Sequence, residues 1–208
     1  MDNRTARIAV FVSGGGTNLQ ALIDAQYKGI LSTGKIVLVV SNKADAYALE
    51  RAKAAKIPTE VVLRNRTEGQ EGFERQLIAL MEQYGIDLIV LAGFLSILSA
   101  DFTNRYDRKI INVHPSLIPS FCGAGYYGLK VHEAALAKGV KVTGATVHYV
   151  NEIPDGGEII LQKAVSVRDG DTPETLQKRV MRLAEWKILP LAAELVSREI
   201  VGKQEAEQ

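Results

Sequence analysis

Four strand-like runs in a strand–break–helix rhythm constrain this chain more than any other feature. Ile8-Ala9-Val10-Phe11-Val12 is broken by Ser13-Gly14-Gly15-Gly16-Thr17-Asn18, after which Leu19, Leu22 and Ile23 recur at helical spacing. Ile36-Val37-Leu38-Val39-Val40 precedes Ser41-Asn42-Lys43-Ala44-Asp45 and a helical stretch from Ala46 to Ala55. A third strand near Glu60-Val61-Val62-Leu63 leads into a helix over about Gly72 to Tyr84, and Asp87 to Ala92 forms the fourth. Apolar runs without polar alternation belong to strands covered on both faces, and strands alternating with helices build parallel sheets. The expectation is an α/β, Rossmann-like, mostly parallel sheet flanked by helices, with strand order 3-2-1-4 in the first half and right-handed crossovers.

The second half changes character. Val131 to Lys138 is a short helix, and Thr143–Val150 and Glu158–Val165 are strands flanking the turn Pro154-Asp155-Gly156-Gly157. That pattern predicts an antiparallel strand pair. Thr172 caps a last helix with Pro173 in its first turn. This helix is expected to run to about Val201, interrupted near Pro190, with residues 203–208 a frayed tail. No linker or repeat divides residues 1–208, so one domain is expected, with lobes of about 1–110 and 111–202 and a cleft between them. The 25 basic and 24 acidic residues leave a net charge of +1, which argues against a general nucleic-acid binder. No leader-like segment or membrane-length apolar run is visible. A cytoplasmic protein acting on small molecules is expected, without nucleic-acid or membrane partners, as a monomer or homodimer. The one cysteine, Cys122, rules out an intrachain disulfide framework.

The chemistry-bearing motif is Asn112-Val113-His114-Pro115-Ser116-Leu117-Ile118-Pro119, at the end of the apolar stretch Ile110-Ile111. Strand ends are where open α/β sheets bind ligands. Asn112 and His114 are two residues apart, so both point to one face of an extended segment. An amide donor beside an imidazole suits a reaction that builds an oxyanion and moves a proton. Asp155 has a turn-forming explanation next to Gly156. If that turn faces His114, its carboxylate raises the imidazole pKa and keeps the ring charged.

The loop Ser13–Asn18 offers glycine backbone and a helix N-terminus to a phosphate. It is not a P-loop, since no Gly-Lys-Ser/Thr follows, and it lacks the third glycine and the acidic residue of a dinucleotide fingerprint. A plain tight turn is the competing reading. His148 reads as packing or bonding locally within its strand, and His132 as a surface or structural residue. The three histidines lack metal-ligand spacing, so no metal is expected. A Cys122–His114 nucleophile lacks an orienting group.

Taken in order, Val12 to Gln20, Ser41 to Ala46, Leu91-Ala92-Gly93-Phe94-Leu95, Asn112 to Leu117 and Asp155-Gly156-Gly157 make the chain similar to the phosphoribosylglycinamide formyltransferases. These are the glycinamide ribonucleotide transformylases of purine synthesis, within the wider formyltransferase superfamily. The resemblance covers about residues 7 to 201. It implies transfer of a formyl group from 10-formyltetrahydrofolate, as co-substrate, to the amine of glycinamide ribonucleotide. It implies Asn112, His114 and Asp155 as catalytic residues, and Gly16, Thr17 and Asn18 on the substrate phosphate. Arg182, Leu183, Ala184 and Glu185 are implied on the acceptor. Gln70, Leu95, Ser96, Ile97, Leu98, Asn112, Asn151, Glu152, Ile153, Pro154 and Asp155 are implied on the folate, making the second lobe catalytic and folate-binding.

Three departures from the family pattern stand out. Gln70 replaces a frequent Arg near the folate tail, Ser96 replaces another in the pterin segment, and the loop Phe121–Lys130 is longer than in some relatives, either as a lid or as surface elaboration. A formyl-folate hydrolase, a formyltransferase acting on initiator tRNA and a non-enzymatic phosphate-ligand binder are the competing functions. The binder leaves Asn112, His114 and Asp155 without a joint role.

Overall fold

The computed structural model describes residues 4–64 and 67–206. Among them, seven strands form one sheet in the order β3-β2-β1-β4-β5-β6-β7. They are β1 (Ala6–Val12), β2 (Gly34–Ser41), β3 (Thr59–Val61), β4 (Leu88–Leu91), β5 (Ile110–His114), β6 (Val142–Tyr149) and β7 (Ile159–Ser166). The first five pair in parallel, while β6 runs antiparallel to both β5 and β7. The expected 3-2-1-4 order and the C-terminal antiparallel pair are both present, and one sheet spans both halves of the chain.

The period-two alternation of β1 sorts its side chains between two cores. Ile8, Val10 and Val12 pack with Leu19 and Leu22 of α1 (Thr17–Tyr27) and with Leu189 and Val196 of α7 (Trp186–Ala206). Ala9 and Phe11 pack on the other face, against Phe73, Leu77 and Met81 of α3 (Gly69–Gln83) and Phe102 of α4 (Ala100–Arg105). From Ile8 to Val12 neither face of this strand meets water, which is why that run shows no polar alternation. The remaining helices are α2 (Tyr47–Ala54), α5 (Leu129–Lys138) and α6 (Pro173–Val180).

Three local expectations need correction. The short helix α4 was not anticipated; its signal is Ser99, whose hydroxyl caps the helix by accepting from Phe102 N–H at 3.2 Å. The last helical segment is interrupted not near Pro190 but at Met181–Glu185, where one π-helical turn separates α6 from α7. Trp186 N–H reaches back five residues to the Met181 carbonyl there. Pro190 stays inside α7: its missing N–H falls opposite Trp186, the residue at which the bonding pattern has already shifted. The frayed tail is helical as far as Ala206, tied down by Gln204 Nε2 donating to Asp87 Oδ1 at 3.1 Å; residues 207 and 208 lie outside the described residues.

Candidate active site

Strand β5 delivers Asn112 and His114, and its antiparallel partner β6 sets His148 directly opposite Asn112. His148 does bond locally, through Nδ1 to the Tyr149 carbonyl at 2.8 Å. A carbonyl only accepts, so Nδ1 carries the proton and Nε2 keeps its lone pair. Asn112 Nδ2 donates to that Nε2 at 3.2 Å, which fixes which end of the amide is the donor and leaves its second N–H free to serve the cleft. Sequence reasoning left His148 out of the site; strand register against Asn112 is the signal that places it.

Asp155 reaches both histidines. Its Oδ2 lies 3.4 Å from His114 Nδ1 and its Oδ1 lies 3.5 Å from His148 Nε2, with Gly123 N–H donating to Oδ2 at 2.8 Å. His114 Nε2 donates to the Phe121 carbonyl at 2.8 Å. Phe121 and Asp155 both hold positive φ, 50° and 56°, rare for residues with a side chain. Strain of this kind, at the two residues gripping the imidazole, is typical of functional sites. The loop after residue 120 thus supplies an orienting carbonyl and an N–H to the cluster, a role the sequence did not suggest.

Burial governs the charges. It is the largest influence on His114 and takes its pKa below 6.5, against the upward pull of the Asp155 carboxylate and the Phe121 carbonyl. The expectation that Asp155 keeps His114 charged is therefore reversed in the free protein, because desolvation outweighs the neighbouring carboxylate. For Asp155 itself burial pushes upward, but the two nearby imidazoles, His148 foremost, and the Gly123 N–H outweigh it and hold the carboxyl below its usual range. Burial and Asp155 raise the Cys122 thiol, the opposite of an activated nucleophile.

The glycine loop lies at the head of α1. Gly16 is the helix cap at φ 71°, and a Cβ there would sit 2.6 Å from the Ala48 Cβ, so both conformation and space demand glycine. Asn18 Nδ2 donates to Glu185 Oε2 at 2.7 Å, joining α1 to the end of the π turn. Glu185 is only 6% exposed, and burial raises its carboxyl to about 7, with Asn18 pulling the other way. Of the four expected acceptor residues, only Glu185 lines the cleft; Arg182 and Leu183 are exposed and Ala184 is in the core. Successive helical side chains turn through about 100°, so four in a row cannot share a wall. Asn18 also lines the cleft, while Gly16 and Thr17 do not.

The cleft, about 510 Å³, is walled by Gly93–Ile97, Asn112–Pro115, Gly123–Gly128, His132, Pro154–Asp155 and the Gln177–Glu185 side. A smaller recess of about 130 Å³, lined by Ser96–Leu98 and Asn151–Asp155, shares Asn112 and Asp155 with it. The expected folate segments therefore meet at this recess. Gln70 lines neither space: its Nε2 donates to the Ile97 carbonyl at 3.0 Å and to Glu74, which also accepts from Ser99 N–H at 2.6 Å. Gln70 thus braces the segment through the Ile97 carbonyl. Ser96 accepts from Asn42 Nδ2 at 2.8 Å, and Ser13 Oγ accepts from Leu95 N–H at 2.8 Å. A separate groove of about 420 Å³ between α1 and α7 shares only Thr17 with the expected site. Among the described residues, no cluster of three or more His, Cys, Asp or Glu is placed to hold a metal.

A donor amide, a polarised imidazole and a half-buried carboxylate at the carboxyl ends of a parallel sheet are the equipment of an acyl-type transferase. The sequence profile described as formyl transferase matches residues 6–193, and the chain belongs to that family. It is 44% identical to the phosphoribosylglycinamide formyltransferase of Haemophilus influenzae over 89% of this chain and 84% of that one. It is 45% identical to the trifunctional purine biosynthetic protein adenosine-3 of Homo sapiens over 94% of this chain but only 19% of that protein, so it spans about a fifth of that relative. The glycinamide ribonucleotide transformylase 1 structure from Symbiobacterium toebii superposes with a TM-score of 0.87 at 38% identity, covering 96% of this chain and 90% of that one. Within the family, the chain is one of the phosphoribosylglycinamide formyltransferases.

Proposed function

We propose that this protein transfers a formyl group from 10-formyltetrahydrofolate to the amine of glycinamide ribonucleotide, giving formylglycinamide ribonucleotide and tetrahydrofolate, as a step of purine biosynthesis. The observation that carries the proposal is the convergence of Asn112, His114 and Asp155 where two recesses meet. The smaller recess, with Ser96–Leu98 and Asn151–Asp155, takes the folate, and Leu95 flanks it on the wall of the larger cleft. The acceptor lies along the other side, its phosphate at the head of α1 (Gly16, Thr17, Asn18) and its amine end toward Glu185 and His114.

In this reaction the amine nitrogen bonds to the formyl carbon, and negative charge gathers on the formyl oxygen. Asn112 donates its second N–H to that oxygen. His114, neutral at rest because it is buried, takes the proton that the amine loses. As an imidazolium beside Asp155 it stabilises the oxyanion, then returns the proton to the folate nitrogen as that nitrogen's bond to the formyl carbon breaks. Hydrogen-bond donors aimed at a developing oxyanion are each worth about 10²–10³ in rate. Both lobes contribute to ligand binding on this reading, the first through the phosphate loop and residues 95–98, the second through Asn112, His114, Asn151–Asp155 and Glu185.

The test supplies formyl-folate with and without glycinamide ribonucleotide and measures release of deformylated folate. Release only when both are present supports the proposal. Release with water alone identifies a hydrolase, and acceptor binding without turnover identifies a binder. Either result overturns the proposal.

A further inference from the structure

Helix α5 places one titratable side chain in the cleft that the reaction above leaves unused. His132 is fully buried, yet neither ring nitrogen has a hydrogen-bond partner among the described residues. Leaving such a nitrogen unsatisfied costs about 1–3 kcal/mol, so an imidazole with both nitrogens unpaired calls for an explanation. The other buried residues of this helix, Val131 and Ala135, are apolar, so packing alone does not call for an imidazole here. His132 shares the cleft wall with His114 and with Gln177, Met181 and Glu185, facing the space assigned to the acceptor.

Resting on the formyl-transfer reading, we propose that His132 is an acceptor-binding residue, one of whose ring nitrogens accepts a hydrogen bond from the acceptor's primary amine and turns its lone pair toward the formyl carbon. The amine has hydrogens to spare: one proton leaves through His114, and another can remain on the bond to His132. Burial first, and then His114 nearby, take the His132 pKa down to about 4. The ring is accordingly neutral near pH 7 and keeps a lone pair for an N–H donor. A buried acceptor of this kind selects against molecules unable to donate to it, because its nitrogen is then left unpaired.

The experiment compares wild type, His132→Phe and His132→Gln in acceptor and donor kinetics and in urea unfolding. Phe keeps the ring and its burial but removes both nitrogens, while Gln restores an accepting oxygen. The expected result is that His132→Phe is at least as stable as wild type but loses roughly 10- to 100-fold in kcat/KM for the acceptor. The donor KM stays within about twofold, and His132→Gln recovers part of the loss. Unchanged acceptor kinetics in His132→Phe, or equal losses for both substrates alongside lower stability, overturns the inference and leaves the formyl-transfer reading standing. Absence of wild-type turnover with the acceptor sinks both. If the Phe variant does not fold, His132→Leu is read against the same outcomes.

Discussion

Glu185→Gln isolates what it costs to keep a carboxyl at the bottom of the acceptor side. Burial lifts Glu185 from 4.5 to about 7. At 1.36 kcal/mol per unit, that shift corresponds to about 3 kcal/mol. The sign follows from proton binding. Between pH 4.5 and 7 the folded protein holds this proton more tightly than the unfolded chain. The group's contribution is therefore fully present below pH 4.5, declines as pH rises toward 7, and is gone above it. Gln is neutral throughout and keeps an oxygen for Asn18 Nδ2. Urea unfolding of both proteins at pH 5 and pH 8 should show the variant gaining on wild type by roughly 2–3 kcal/mol between the two conditions. If the stability difference between the two proteins stays within about 0.5 kcal/mol across that range, Glu185 is not the proton-holding group described here.

Other substitutions test the remaining parts of the site. His114→Ala and Asp155→Asn should each lower kcat by about 10²–10³ with little change in acceptor affinity; a collapse of affinity instead reassigns their roles. Gly16→Ala meets both the 71° φ and the 2.6 Å contact with Ala48, so calorimetry should find weaker acceptor binding and a lower Tm; unchanged values refute the need for glycine. Gln70→Ala should raise the folate KM several-fold while leaving acceptor KM unchanged, because the Ile97 carbonyl loses its brace; equal effects on both substrates contradict that reading.

The layered sheet could be read from residues because its strands are apolar throughout and its breaks carry glycine, proline or clusters of small polar residues. The pairing of Asn112 with His114 was legible for the same reason: period two on a strand is a local rule. What escaped is what depends on distant partners. His148 enters the site through cross-strand register, and Phe121 through a backbone carbonyl that its side chain does not announce. The π turn beside Glu185 has no residue signature comparable to the proline that drew attention nine residues after the turn begins. The charge on His114 was misjudged because a carboxylate neighbour can be guessed from sequence, whereas the depth of burial cannot.

Ser13 has a wider consequence. Its hydroxyl joins the glycine turn, where the proposed function puts the phosphate, to the backbone of Leu95, in the segment it assigns to the folate. On that proposal the hydroxyl is one direct link between two ligand platforms. If occupancy of one platform stiffens that joint, linkage requires each ligand to favour the other by the same factor, whichever arrives first.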